Sequence, residues 1–155
     1  MKFILTGELG RLAKWLRILG FDTLYFNQDN LGSLIIQALR DGRIILTRNQ
    51  RLVRPSAVKI VLVKAETIKE QIAEILQALN IRPEPEMMFS RCILCNEELV
   101  GVEKETIKDK VPEYVFKTQE DFITCPKCKR IYWQGTHWGN VQAMLGKIAL
   151  NPKSQ

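Results

Sequence analysis

Four cysteines, Cys92, Cys95, Cys125 and Cys128, form two Cys-x-x-Cys pairs separated by a 29-residue spacer. A Cys-x-x-Cys turn aims two sulfurs at one point, and a tetrahedral Zn²⁺ ion takes four such thiolates. Disulfides fit poorly with a chain that opens without a secretory signal. A redox motif needs only one such pair, normally at a helix start. The expectation is one structural zinc in a zinc ribbon. With four thiolates no coordination place stays open, so the ion would be architectural and not catalytic.

A second chemistry is metal-assisted phosphodiester cleavage, which needs carboxylates converging on one point, because Mg²⁺ or Mn²⁺ prefers anionic oxygen. Here the acids available are Glu8 and Asp29. Asp29 has a second reading as a helix cap. Near Thr47, Arg48 and Asn49 no acid is present, and neutral amide and hydroxyl oxygens hold such ions far more weakly. Asp22 and Asp41 fall at the opposite edge of the elements that carry them.

A third group of residues suits phosphate contact. Arg11, Lys14 and Arg17 fall three apart, and Arg48 and Arg51 follow Thr47. Residues 1–65 carry eleven Lys/Arg against four acids, a net +7, whereas 66–86 carry −3 and 87–155 carry +2. Seven of those eleven are arginine, which suits bidentate phosphate recognition. A solvated basic surface is the plainer reading of the same charge. Near the last cysteine lie Lys127, Lys129, Arg130, Tyr132, Trp133, His137 and Trp138. Cations beside flat rings suit stacking on unpaired bases, but a ribbon has few other hydrophobes, so Tyr132 and Trp133 are expected to fill its core. His137, the single histidine, is expected to pack or face solvent rather than move protons.

The elements that must position these groups are legible from apolar spacing. Lys2–Leu5, Asp22–Phe26, Arg43–Thr47 and Lys59–Val63 read as short strands, the last two with continuous apolar centres expected of strands covered on both faces. Helices are expected from Gly10 to Leu19, from Asp29 or Asn30 to Asp41, and from Thr67, where Thr67 to Glu70 forms a capping box. Gly20 and Asp41-Gly42 stop the first two. The order β-α-β-α-β-β-α predicts an α/β fold, a parallel sheet flanked by helices on both faces. Ligands in such sheets bind beyond the carboxyl ends of the strands, here Thr6 to Glu8, Asn27 to Asp29 and Thr47 to Arg51.

The division expected is an α/β domain over 1–82, a stiff proline-bearing linker over 83–88, and a zinc ribbon with a C-terminal helix over 89–155. Within the spacer, Glu103–Lys110 is helix-compatible and Tyr114–Phe116 strand-like, and Asn140–Leu150 offers a last helix. With 155 residues, 46% hydrophobic and 26% charged, the composition is globular. Apolar runs fall short of the roughly 18 residues that span a bilayer, which leads to the expectation of a soluble cytoplasmic protein with no membrane partner.

The run Gly7-Glu8-Leu9-Gly10-Arg11-Leu12-Ala13-Lys14-Trp15-Leu16-Arg17, followed by Gly20-Phe21-Asp22-Thr23, resembles the opening of the Mut-7 C-terminal RNase-like family, a branch of PIN-like nucleases. Ile45-Leu46-Thr47-Arg48-Asn49 is similar to its Leu-Thr-Arg-Asp element. Ser90 to Asn96, Val111-Pro112, Cys125 to Cys128 and Tyr132 to His137 resemble its zinc-ribbon signature. The resemblance spans about 1–138 and implies a PIN-like domain fused to a zinc ribbon, with an RNA-directed role. It also implies acidic positions that this chain has lost, since the family has aspartate where Thr6 and Asn49 stand here. Asp29 lies in the family's acidic stretch and carries over.

The resulting expectation is an RNA-binding PIN-like protein with nuclease activity weak or lost, in which Arg11, Lys14, Arg17, Arg48 and Arg51 contact phosphates. One alternative is an active Mg²⁺- or Mn²⁺-dependent ribonuclease using Asp29 and Glu8 as catalytic acids. Another is an adaptor that binds a protein through the ribbon and the acidic helix bearing Glu66, Glu70 and Glu74.

Overall fold

The computed structural model describes residues 1–52, 57–133, 141, 143 and 144. It divides into two compact units, Met1–Phe89 and Ser90–Gln155.

The first unit follows the expected order. Four parallel strands, β1 (Lys2–Thr6), β2 (Asp22–Phe26), β3 (Ile44–Thr47) and β4 (Ile60–Leu62), lie in the order β2-β1-β3-β4. Helix α1 (Gly10–Ile18) joins β1 to β2, α2 (Leu31–Asp41) joins β2 to β3, and α3 (Ile68–Leu79) follows β4. Because β1→β2 and β2→β3 run in opposite directions across the sheet, right-handed crossovers put α1 and α2 on opposite faces. Leu34 and Ala38 of α2 pack with Ile4, Phe26 and Ile45 on one face. Strand pleating turns Phe3 and Leu5 to the other, where α1 and α3 meet.

Local chemistry starts α2 and α3 and ends all three helices. The Asn30 side chain accepts from Ser33 N at 3.1 Å, and the Thr67 hydroxyl accepts from Glu70 N at 3.2 Å, so both helix starts are capped. Gly20 (φ +97), Gly42 (φ +66) and Asn80 (φ +52) take the left-handed conformation that lets the chain leave each helix.

Two expectations for this unit differ from what is observed. Strand β4 lies at the sheet edge and is half-buried throughout, since it has a neighbour on one side alone. The stretch expected as an extended linker contains a 3-10 turn, Pro85–Met87. It belongs to the first unit, because Phe89 N donates to Ile18 O at 2.9 Å and the Met87 carbonyl seats against Gly20.

The second unit is built on a three-stranded antiparallel sheet, β5 (Val100–Val102), β6 (Phe122–Thr124) and β7 (Ile131–Tyr132), in that order. A 3-10 turn at Lys104–Ile107 falls in the helix-compatible stretch. Tyr114–Phe116, expected as a strand, instead lies in helix α4 (Glu113–Thr118). Three apolar residues cannot reveal a period, whereas Val111 and Val115, four apart, are both buried in one cluster with Ile107 and Phe122. Of the helix expected over Asn140–Leu150, Val141, Ala143 and Met144 are helical, and the remainder lies outside the described residues. So do His137 and Trp138. Among the described residues no helix is long and apolar enough to cross a membrane.

A polar strand-end cluster and a tetra-cysteine centre

Strands β1 and β3 end alike, in Ile4-Leu5-Thr6 and Ile45-Leu46-Thr47. Their pairing sets Ile4 against Ile45 and Leu5 against Leu46, so the two threonines emerge together at the carboxyl edge. Thr6 Oγ1 and Thr47 Oγ1 lie 2.9 Å apart, and both residues are buried. In the order β2-β1-β3-β4 this is also the crevice where chain direction across the sheet reverses, the usual ligand position in parallel α/β sheets.

Glu8 reaches into that crevice from the 3-10 turn Gly7–Leu9. Its Oε1 accepts from the Thr6 hydroxyl at 2.6 Å and from Arg48 N at 2.8 Å, with the Thr47 hydroxyl at 3.4 Å. Burial raises the Glu8 pKa, but the bonds from Thr6, Arg48 N and its own backbone outweigh it and hold the carboxyl below its ordinary 4.5. Thr47 Oγ1 also accepts from Asn49 N at 3.0 Å, and Asn49 Oδ1 accepts from Arg51 N at 2.9 Å. These bonds form a compact turn after β3.

The expected metal-binding acids are therefore placed differently from one another. Glu8 is engaged by the Thr6 hydroxyl and Arg48 N–H. Asp29 is exposed in the loop after β2, and the capping role falls to Asn30. The donor set fits a divalent cation poorly. Two of the groups lining the crevice are hydroxyls already bonded to each other, one is a backbone N–H, and the Asn49 oxygen is occupied locally. Asp22, at the opposite edge, accepts from Arg43 Nη1 at 2.8 Å. The same Arg43 atom donates to the Phe3 carbonyl at 3.1 Å.

The basic groups also separate. Arg11 and Lys14 are exposed on α1, but Arg17 is buried and its Nε donates to the Thr23 carbonyl at 2.9 Å. The expected stripe of three thus holds two. Steps of three residues rotate about 60° around a 3.6-residue helix, and two steps carry the third position to the packed side. Arg48 is half-buried, with Nη1 on the Ala65 carbonyl, and Arg51 is exposed. Glu74, one of the acids in the expected partner-binding helix, accepts from Lys64 N and Ala65 N.

The four cysteines converge as their spacing predicts. One sulfur from each lies within 4.8 Å of the others, so together they could hold a metal ion. Cys92 Sγ and Cys128 Sγ are 3.7 Å apart, close to the ~3.8 Å edge of a tetrahedron with metal–sulfur bonds of about 2.3 Å. The two knuckles repeat one backbone pattern. Asn96 N donates to Cys92 O and Lys129 N to Cys125 O, each at 2.9 Å, and Asn96 and Lys129 both have φ +66. Tyr132 Oη lies 3.1 Å from Cys92 Sγ, and Trp133 meets Phe122 edge-on at 6.3 Å. The core reading holds for Trp133, which packs against Ile107, Val111, Val115 and Phe122, whereas Tyr132 lies against the cysteine centre.

Thiol acidity is split across the centre. Burial opposes ionisation of Cys92, but the Tyr132 hydroxyl and the N–H groups of Cys95 and Leu94 bring its pKa down to about 7. Burial and hydrogen bonds to Cys128 and Cys125 push Cys95 up to about 12. Cys92 therefore ionises more readily than Cys95. A doubly charged cation is what would make four thiolates stable side by side.

A protein-family model described as the Mut7-C RNAse domain matches residues 1–145 of the chain. No match is found among curated proteins or among solved structures.

Proposed function

The chain belongs to the Mut7-C RNAse domain family, and we propose that within it this protein is an RNA-binding, PIN-like member whose nuclease activity is weak or lost. The observation that carries this reading is the hydrogen-bonded state of the strand-end crevice. Where the family has aspartates, Thr6 is bonded to Thr47 and Glu8, and Asn49 is bonded to Thr47 and Arg51 N. Glu8 stands beside them but spends one oxygen on protein donors, and Asp29 lies exposed in the loop after β2. Mg²⁺ or Mn²⁺ would find too few anionic oxygens there.

RNA affinity would come from phosphate contacts by Arg11, Lys14 and Arg51, within a segment of net +7, and from the unengaged part of the Arg48 guanidinium. Arg17 serves the fold instead. The ribbon would carry one zinc on Cys92, Cys95, Cys125 and Cys128, which holds the two knuckles together and leaves no place for substrate. We place the protein in the cytoplasm. The adaptor reading loses support because Glu74 is committed to the Lys64–Ala65 backbone.

The active-ribonuclease alternative draws on Asp29, which the Asn30 cap leaves free for an ion. One experiment separates the two. Labelled single-stranded RNA is incubated with Mn²⁺ and the wild type, Asp29→Ala, or Thr6→Asp/Asn49→Asp. Binding that falls steeply with salt, without cleavage by the wild type, is the expected result. Cleavage gained in the restored double variant supports loss of an ancestral site. Wild-type cleavage abolished by Asp29→Ala would establish the alternative, and no binding at low salt would end the RNA reading.

A further inference from the structure

We infer that the Thr6 hydroxyl, backed by the Thr47 hydroxyl, and the Arg48 backbone N–H form an anion cradle, with Glu8 as its built-in occupant and a phosphate oxygen as its exogenous ligand. The identification of RNA as the source of that phosphate rests on the function proposed above; the cradle itself does not.

The argument is one of polarity. A cation site presents lone pairs, whereas this crevice presents protons. Arg48 N–H has no lone pair to offer, and it meets Glu8 Oε1 at 2.8 Å. Each threonine hydroxyl has one proton. With the Thr6 proton on Glu8 at 2.6 Å, the 2.9 Å contact between the hydroxyls uses the Thr47 proton. Asn49 N–H, at 3.0 Å from Thr47 Oγ1, fills an acceptor position on that oxygen. The chain Asn49 N–H, Thr47 O–H, Thr6 O–H therefore runs one way and ends on a negative charge. Charge-assisted bonds of this kind are short and strong.

The threonines are also fixed. Thr6 is 7% exposed and Thr47 fully buried, so neither hydroxyl can turn to bulk water. Once Glu8 leaves, an incoming anion is the acceptor that restores both lost bonds, and buried donors without acceptors are costly. Glu8 itself is an exposed residue on a single 3-10 turn, free to swing outward without disturbing β1. Where aspartates would gather a metal ion and through it a phosphate, this crevice would receive the phosphate oxygen directly. Position favours that use, because the cradle sits at the direction-reversal point of the sheet.

Inorganic phosphate is titrated calorimetrically into the full chain and its variants, with Mn²⁺ titrated in parallel. Glu8→Ala removes the occupant and its charge and is expected to bind phosphate about tenfold more tightly than wild type. Adding Thr6→Val to Glu8→Ala should cancel the gain, while adding Thr6→Ser, which keeps the hydroxyl, should preserve it. No gain in Glu8→Ala, or a gain that survives Thr6→Val, would overturn the cradle. So would a tight Mn²⁺ site in the wild type that Glu8→Ala destroys. Salt-sensitive RNA binding by the wild type, alongside no phosphate gain in Glu8→Ala, would remove the cradle and leave the RNA reading standing. A phosphate gain with no RNA binding would do the reverse.

Discussion

The hydroxyl oxygens of Thr6 and Thr47 meet 2.9 Å apart across two adjacent parallel strands, and the proton of the first is held by Glu8 at 2.6 Å. Thr6→Val keeps the shape and removes both bonds. At neutral pH it should cost about 1 kcal/mol, the lower range for a hydrogen bond to a charged group, because Glu8 is partly solvated. The Glu8 carboxyl titrates below 4.5 in the folded chain. Its stabilisation is thus present above the unfolded value and is lost as pH falls through the folded one. Urea unfolding of wild type and Thr6→Val should differ at pH 7, and the difference should shrink as pH falls below 4.5. A difference unchanged by acid would assign the loss to packing alone.

Arg17 and its neighbours on α1 should respond oppositely to mutation. Arg17→Ala removes the bond to the carbonyl of the fully buried Thr23, and is expected to destabilise by about 2 kcal/mol through loss of that bond and of the packing of its stem. Arg11→Ala and Lys14→Ala, at exposed positions, should leave the urea midpoint unchanged. Each should instead flatten the dependence of RNA affinity on salt by about 0.7 in log–log slope for every phosphate that is no longer neutralised. Equal stability losses at all three positions would contradict the placement of Arg17.

The contrast marks how far the sequence could be read. Strands and helices of the first unit were legible because their apolar periods are long and their caps explicit, as at Thr67 and Gly42. The cysteine centre was legible because spacing alone dictates it. Arg17 was not, since a stripe of three charges looks uniform until helical rotation is followed past its second member. Tyr114–Phe116 was too short to disclose a period, and its helical state depends on burial of Val115 with residues distant in sequence. The Thr6–Thr47 pair does carry a signal in the sequence: both strands end in Ile-Leu-Thr, and parallel pairing in register brings such endings together. That Glu8 would be an internal hydrogen-bond acceptor depends on the fold, because Arg48 N–H reaches it from 40 residues away.

Metal removal should affect the second unit selectively. The isolated protein is expected to hold one zinc, and Co²⁺ in its place should show the intense visible bands of a tetrahedral tetrathiolate. Structural zinc supplies on the order of 10 kcal/mol of apparent folding free energy. A chelator should therefore open amide exchange in β5–β7 while β1–β3 stay protected. Uptake should weaken as pH falls through about 7, where Cys92 gains its proton, and should release the proton that Cys95 holds up to about 12. Each ion bound in weak buffer would then liberate more than one proton. Octahedral cobalt spectra, or protection lost evenly across both units, would contradict this.

Gly20 should prove the least replaceable residue of the segment that closes the first unit. It ends α1 with φ +97, and the pattern of Phe21 N on Leu16 O at 2.9 Å is the six-residue closure that left-handed glycine permits. A Cβ there would overlap the Met87 carbonyl oxygen, a backbone atom of the Pro85–Met87 turn that cannot rotate away. Gly20→Ala thus combines conformational strain of about 1 kcal/mol with displacement of that turn. Thermal unfolding should shift downward, and protease cleavage within 83–89 should accelerate well beyond what the stability change alone predicts. Gly42→Ala provides the comparison, since Gly42 has a similar positive φ and open space around its added Cβ. If both variants leave 83–89 equally resistant, the turn is not held by its seat on Gly20, and the Phe89 N–H bond to Ile18 would have to hold it alone.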